Sequence, residues 1–258
     1  MISLDHAKKA FIQFLKAYDT QDPKIALKIR HTYAVMKVCG FLADSLQLDE
    51  NEKNLALLIG LLHDIGRFEQ LTLFNSYDDN LMSHAECGLK VLFTDGHIRD
   101  FIDTDKYDDI IYHAIKNHSL YAIDPELSAP ALLHAQIIRD ADKLDNFRVK
   151  AIDPVPAMLD ISAEELGCEE ISDHIFAEFL AHHQIKKEDR HTKMDMWVSY
   201  IAFIFDFNFP ASYRYVLEHN YIESNIDRIP YSNPETAEKM KRIRQDAIVY
   251  CREKQVLL

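Results

Sequence analysis

Between Ile25 and Leu46, the inward-type residues Ile25, Ile29, Thr32, Met36, Cys39, Ala43 and Leu46 recur at spacings of three and four. That period matches one face of an α-helix; a strand would need an alternation of two. Just ahead, Asp22-Pro23 offers an N-cap followed by proline at the first helical position, where its missing N–H costs nothing. The same period returns in Leu55, Leu58, Ile59 and Leu62, and in Leu133, Ile137, Ala141 and Leu144. Glycine and proline are scarce, at 6 and 8 in 258 residues. A sheet-rich fold with many tight turns needs more of both. The chain is therefore expected to be all-α.

The helical pattern can be followed along the chain. Residues 4 to 18 predict a first helix. Asp49 or Asn51 can cap the helix that runs into His63-Asp64, and Gly66 is expected to end it. Residues 67 to 82 have no clear period and read as a loop. Ser83 starts a short helix. Helices are expected near 105 to 118 and 130 to 148, the latter with Ser128 as its candidate cap. Asp153-Pro154-Val155-Pro156 is the strongest boundary signal, because a residue before proline is pushed away from helix. Two parts are predicted: residues 1–152, and a helical extension, 153–258, packed on the first. Helices near 171 to 183, 193 to 206 and 234 to 254 fill the second part.

The formal net charge is −13. That disfavours general affinity for duplex nucleic acid or an anionic membrane, both of which demand clustered Lys and Arg. A small anionic substrate remains compatible, since a divalent ion can supply local positive charge. The four cysteines, Cys39, Cys87, Cys168 and Cys251, are dispersed and form no CxxC pair, so free thiols are expected. The N-terminus lacks a signal-like apolar run, and the longest apolar stretch, around Tyr200 to Phe205, is too short to span a bilayer. These readings together predict a cytoplasmic protein.

Several polar residues sit where the helical pattern turns inward. His63 and Asp64, in LLHDIGRFEQ, close an apolar helix and offer a neutral nitrogen beside an anionic oxygen, a good pair for a divalent metal. His31 lies on the row His31, Val35, Val38, Leu42; it is either a hydrogen-bonded core histidine or a ligand. Asp142, in IIRDADKLDNF, borders the core stripe of its helix. A lone buried carboxylate is costly, so it needs a cation or an ion-pair partner. Asp140 and Asp145 are alternatives on the same helix.

In order along the chain, His31, His63-Asp64 and Asp142 within ADKLD resemble the pattern of the HD-domain metal-dependent phosphohydrolase superfamily. The HDIG string followed by a distant ADxL string is its most specific part, and the likeness spans roughly residues 22 to 150. The resemblance implies a helical bundle on which these four residues are metal ligands. Some branches of the superfamily add two histidines and a second metal; His84 in SHAECGLKVL and His118 in AIKNHS look like that pair. Their rows agree, with His84, Gly88 and Val91 on one face and Tyr107, Ile111, Ala114 and His118 on another. His134 shares a face with Asp142 but lies about 12 Å away along the axis.

Four histidines and two aspartates without thiolate suit one or two ions of Mn, Fe, Co, Ni or Zn better than Mg or Ca. The resemblance implies an enzyme that cleaves a small phosphoester, such as a nucleotide, by a metal-activated water. Asp64 would bridge two ions. Arg67, where many relatives have Lys, is a planar cation suited to phosphate, and Lys143 is a second candidate. In the segment after Arg67, the aromatic and amide residues Phe68, Gln70, Phe74, Asn75 and Tyr77 either read a base or pack the segment down. Two other functions use the same scaffold: an HD-type di-iron oxygenase, and a metal-binding regulatory module without turnover.

Overall fold

The computed structural model describes residues 2–256, and among them there is no strand. The chain divides into two compact units, Met1–Asp142 and Lys143–Leu258. The division falls inside one long helix.

The first unit opens with α1 (Leu4–Leu15), α2 (Pro23–Ser45) and α3 (Glu50–Leu62). Their starts follow side-chain capping: Ser3, Asp22 and Asp49 each accept a backbone N–H of the first turn. The apolar rows face inward, and Leu42, Leu55 and Leu58 are fully buried. α2 and α3 approach so closely that a Cβ on Gly60 would lie 2.9 Å from Met36 Cα. Next come α4 (Ile65–Phe74), α5 (His84–Leu89), a π-helical turn (Lys90–Thr94), α6 (Ile98–Phe101) and α7 (Asp108–Asn117).

The structure corrects two expectations here. Residues 67 to 74 are not loop but most of α4, and Gly66 does not end a helix. α3 stops at Leu62, with His63 as its C-cap, and α4 starts at once. The period of α4 is masked because a polar residue is buried and apolar ones are exposed. Phe68 and Gln70 are inaccessible, whereas Leu73 and Phe74 face out at 56% and 42%. Phe68 packs edge-on against Phe11 and Phe14. Asn75 ends α4 in the left-handed region at φ 48°. Gly66 is needed for a different reason: a Cβ there would come within 2.2 Å of the His84 carbonyl oxygen and 2.4 Å of the Gly88 nitrogen.

α8 (Ala129–Ile152) carries the chain across the boundary, and Ser128 accepts its first helical bond through the main-chain carbonyl. The second unit continues with α9 (Val155–Leu159), α10 (Ala163–Cys168), α11 (Asp173–Leu180), α12 (Lys193–Ile201), α13 (Pro210–Glu218), α14 (Tyr221–Asp227) and α15 (Pro234–Lys254). Trp197 is buried and donates to the Asn225 carbonyl at 3.2 Å. Asp195 is equally buried and ties α12 to the start of α11. The four cysteines are unpaired. Among the described residues no helix is long and apolar enough to cross a membrane.

Candidate metal centre

Six side chains of the first unit meet in one place, and helix ends deliver most of them. His63 and Asp64 occupy the break between α3 and α4, His84 is the first residue of α5, and His118 caps α7. Residues at such junctions can turn their side chains inward without interrupting a hydrogen-bonded helix. His31 and Asp142 come from the middle of α2 and from α8. The close crossing that Gly66 permits brings His84 beside Asp64.

The six divide into two groups, each compact enough to hold one ion: His31, His63 and Asp142, and Asp64, His84 and His118. The Asp64 carboxylate lies between them. Its Oδ2 is 3.5 Å from His31 Nε2 and 3.6 Å from His63 Nε2. Its Oδ1 is 3.4 Å from His84 Nε2 and 3.9 Å from His118 Nε2. Asp142 Oδ1 stands 3.0 Å from His31 Nε2 and 4.0 Å from His63 Nε2.

Three of the histidines have the second ring nitrogen fixed. His63 Nδ1 faces the Gly60 carbonyl at 2.8 Å, His118 Nδ1 the Ile115 carbonyl at 2.6 Å, and His84 Nδ1 the Asp79 carboxylate at 2.6 Å. Each acceptor holds a proton on Nδ1, so each neutral ring presents an Nε2 lone pair to the centre. Burial lowers the His84 and His118 imidazoles to about 4, and it also lowers His63. The rings are therefore neutral at neutral pH.

The inward-facing atoms of this arrangement suit a metal ion. Among the described residues His63 Nε2 is buried without a hydrogen-bond partner. His84 Nε2 and His118 Nε2 face each other at 3.0 Å, although both bear lone pairs in these tautomers. Buried polar atoms are rarely left so. Four imidazole nitrogens and two carboxylates form a donor set that fits one or two divalent transition-metal ions.

Two residues that the sequence pattern did not single out touch the centre. Lys28 Nζ lies 2.6 Å from Asp64 Oδ2. Burial acts to raise the Asp64 carboxyl, but Lys28, then His63, His84 and Arg67, outweigh it and hold it well below the usual range. Lys28 is three residues before His31, hence one turn earlier on the same face, and that spacing was the available signal. The other is Asp79, from the segment between α4 and α5, where no period guides the eye.

Arg67 lies at the edge of the centre. Its Nε is 3.7 Å from Asp64 Oδ1, and one terminal nitrogen donates to Gln70 Oε1, the Tyr77 carbonyl and Asp79 Oδ1 at 2.6, 3.0 and 3.0 Å. Lys28 and Arg67 both lie over the Tyr77 ring, at 5.7 and 5.9 Å. Gln70 is a structural amide, donating to the Asp78 and Met82 carbonyls. Lys143 is buried, paired with Asp206 and 5.6 Å from the Phe203 ring centroid. Asp145 pairs with Arg148 through both oxygens, and His134 pairs with Glu52 at 2.8 Å.

Residues 29–146 match the family model of the HD domain, a stretch that includes all six converging side chains. Comparison with curated proteins and with solved structures returns no match.

Proposed function

Residues 29–146 of this chain are an HD domain of the HD metal-dependent phosphohydrolase superfamily, and on that premise we propose that the protein hydrolyses a small phosphoester. The reading rests on one observation: a single buried carboxylate, Asp64, turns one oxygen to each of two ligand groups. His31, His63 and Asp142 would hold one ion, His84 and His118 the other, and Asp64 both. When bound, such ions supply an activated water and neutralise charge on phosphate oxygens.

The remaining work falls to side chains at the rim. Lys28 and Arg67 are the cations nearest Asp64, and an anionic phosphoryl group would lie between them and the ligand groups. Arg67 lies 5.9 Å from the Tyr77 ring centroid and is held by Gln70, the Tyr77 carbonyl and Asp79, which pre-orients its guanidinium. Asp64 would fix the two halves of the centre relative to each other, so that the attacking oxygen and the phosphorus meet in one orientation. A bond from the water oxygen to phosphorus would form as the ester P–O bond breaks, and the alcohol would leave with one proton of that water. Lys143 stands outside this proposal because Asp206 holds its ammonium.

The test is metal analysis of protein purified without added metal, followed by assays of nucleotides and other phosphoesters with Mn(II). Phosphate release and about two ions per chain are expected. Oxygen consumption with Fe(II) and no phosphate release would replace this reading with the oxygenase. Bound metal without any turnover would replace it with a regulatory module.

A further inference from the structure

The segment between α4 and α5 is short, irregular and partly exposed, yet it places one carboxylate oxygen against the metal centre. Asp79 Oδ1 accepts from His84 Nδ1 at 2.6 Å and from Arg67 at 3.0 Å. The segment is held from below by Gln70, whose amide donates to the Asp78 and Met82 carbonyls at 3.2 and 2.7 Å. Arg67 holds it through the Tyr77 carbonyl. Two side chains of α4 thus fix the backbone on both sides of Asp79.

We propose that Asp79 is a positioning residue for the ion of the Asp64, His84 and His118 group, because its carboxylate keeps the His84 proton on Nδ1 and aims Nε2 inward. The inference rests on the two-ion reading above. His63 and His118 are oriented by main-chain carbonyls of their own helices, three residues back, an arrangement the helix provides by itself. His84 cannot use that device. It is the first residue of α5 and has no preceding turn, so its acceptor must come from elsewhere in the chain. Asp79 fills that need. A carboxylate in this position also makes the imidazole a better donor than a carbonyl would. The same oxygen holds Arg67, so the histidine on one side and the phosphate-facing cation on the other share one anchor.

The test compares wild-type protein with Asp79→Ala, Asp79→Asn and His84→Ala. In metal-free protein, nitrogen-15 NMR of the imidazoles should show His84 with its proton on Nδ1 in the wild type. Asp79→Ala should populate the Nε2-protonated form. In Mn(II) titrations the ion of the Asp64, His84 and His118 group should lose affinity by about 10–100-fold in Asp79→Ala, while the other changes little. The spin-coupled signal of two neighbouring Mn(II) ions should fade accordingly. Asp79→Asn keeps an acceptor oxygen and should fall in between. Adding Asp79→Ala to His84→Ala should cost no further affinity, because the effect runs through that ring. If Asp79→Ala keeps both the wild-type tautomer and the wild-type second-ion affinity, the inference is overturned while the two-ion reading stands. If the wild type never binds a second ion, both are overturned.

Discussion

Asp64 in the first unit and Asp195 in the second are both buried close to a helix start, and their charges are met differently. In the second unit Asp195 is surrounded by donors: Ser172 N at 2.8 Å, Ser172 Oγ at 2.7 Å, His191 N at 3.0 Å and Thr192 N at 3.2 Å. In the first unit Asp64 has one short donor, Lys28 Nζ, with Arg67 Nε further off at 3.7 Å, and four imidazole nitrogens face it at 3.4 to 3.9 Å. Both carboxyls are held below their ordinary pKa against the opposing effect of burial, Asp64 by cations and imidazoles and Asp195 by hydrogen bonds. A carboxylate enclosed by N–H and O–H groups ties helices together. One that faces lone-pair nitrogens leaves a place for a cation. Burial and charge alone do not separate the two; the identity of the facing atoms does.

The largest effect expected from this contrast is on metal content. Asp64→Ala or His63→Ala should strip bound metal after dialysis and reduce any phosphoesterase turnover by on the order of 100-fold or more. Asp195→Ala should leave the ion count untouched. Elemental analysis of the variants decides, and metal retained in Asp64→Ala would erase the distinction. Added Mn(II) should likewise raise the melting temperature of the wild type and not that of Asp64→Ala.

Stability should show the reverse order. Asp195→Ala leaves several buried donors without an acceptor and should destabilise the protein by about 2–4 kcal/mol. Asp64→Ala in metal-free protein should lose less, because Lys28 is partly exposed and can be hydrated. Denaturant unfolding of the metal-free variants measures both, and a larger loss at Asp64 would break the comparison.

Gly66→Ala probes how the first centre is assembled. The added methyl would meet the His84 carbonyl and the Gly88 nitrogen, so α4 and α5 must move apart. A loss of about 1–3 kcal/mol is expected, together with weaker binding of the ion that His84 serves. Normal stability and normal ion affinity would show that the close crossing is not needed.

The smallest effect concerns pH. The folded-state pKa of Asp195 is lowered, so its contribution is fully present above the unfolded value of about 3.9 and declines as pH falls towards the folded one. The stability gap between wild type and Asp195→Asn should therefore narrow below about pH 4. A gap that stays constant across that range would remove Asp195 from the acid response.

The sequence by itself determined the helical class, because apolar rows of period three and four leave few other ways to bury them. α2 and α15 can be read almost to the residue, and Asp22-Pro23 marks the start of α2. The six metal-ligand candidates were legible through the resemblance to the HD superfamily; helical period alone left His31 a core histidine or a ligand and Asp142 one of three aspartates. α4 was not legible, because it buries Gln70 and exposes Leu73 and Phe74, so its period appears only once the neighbouring helices are in place. The short helices α13 and α14 lacked a long enough row to be seen. Nor could one dimension show that Gly66 serves a helix crossing, that Lys143 is held by Asp206, or that Lys28 and Asp79 touch the centre. Those are contacts through space between segments far apart in the chain or lacking a regular period. Periodicity reports which face of a helix turns inward, and only the packed tertiary structure decides which atoms that face meets.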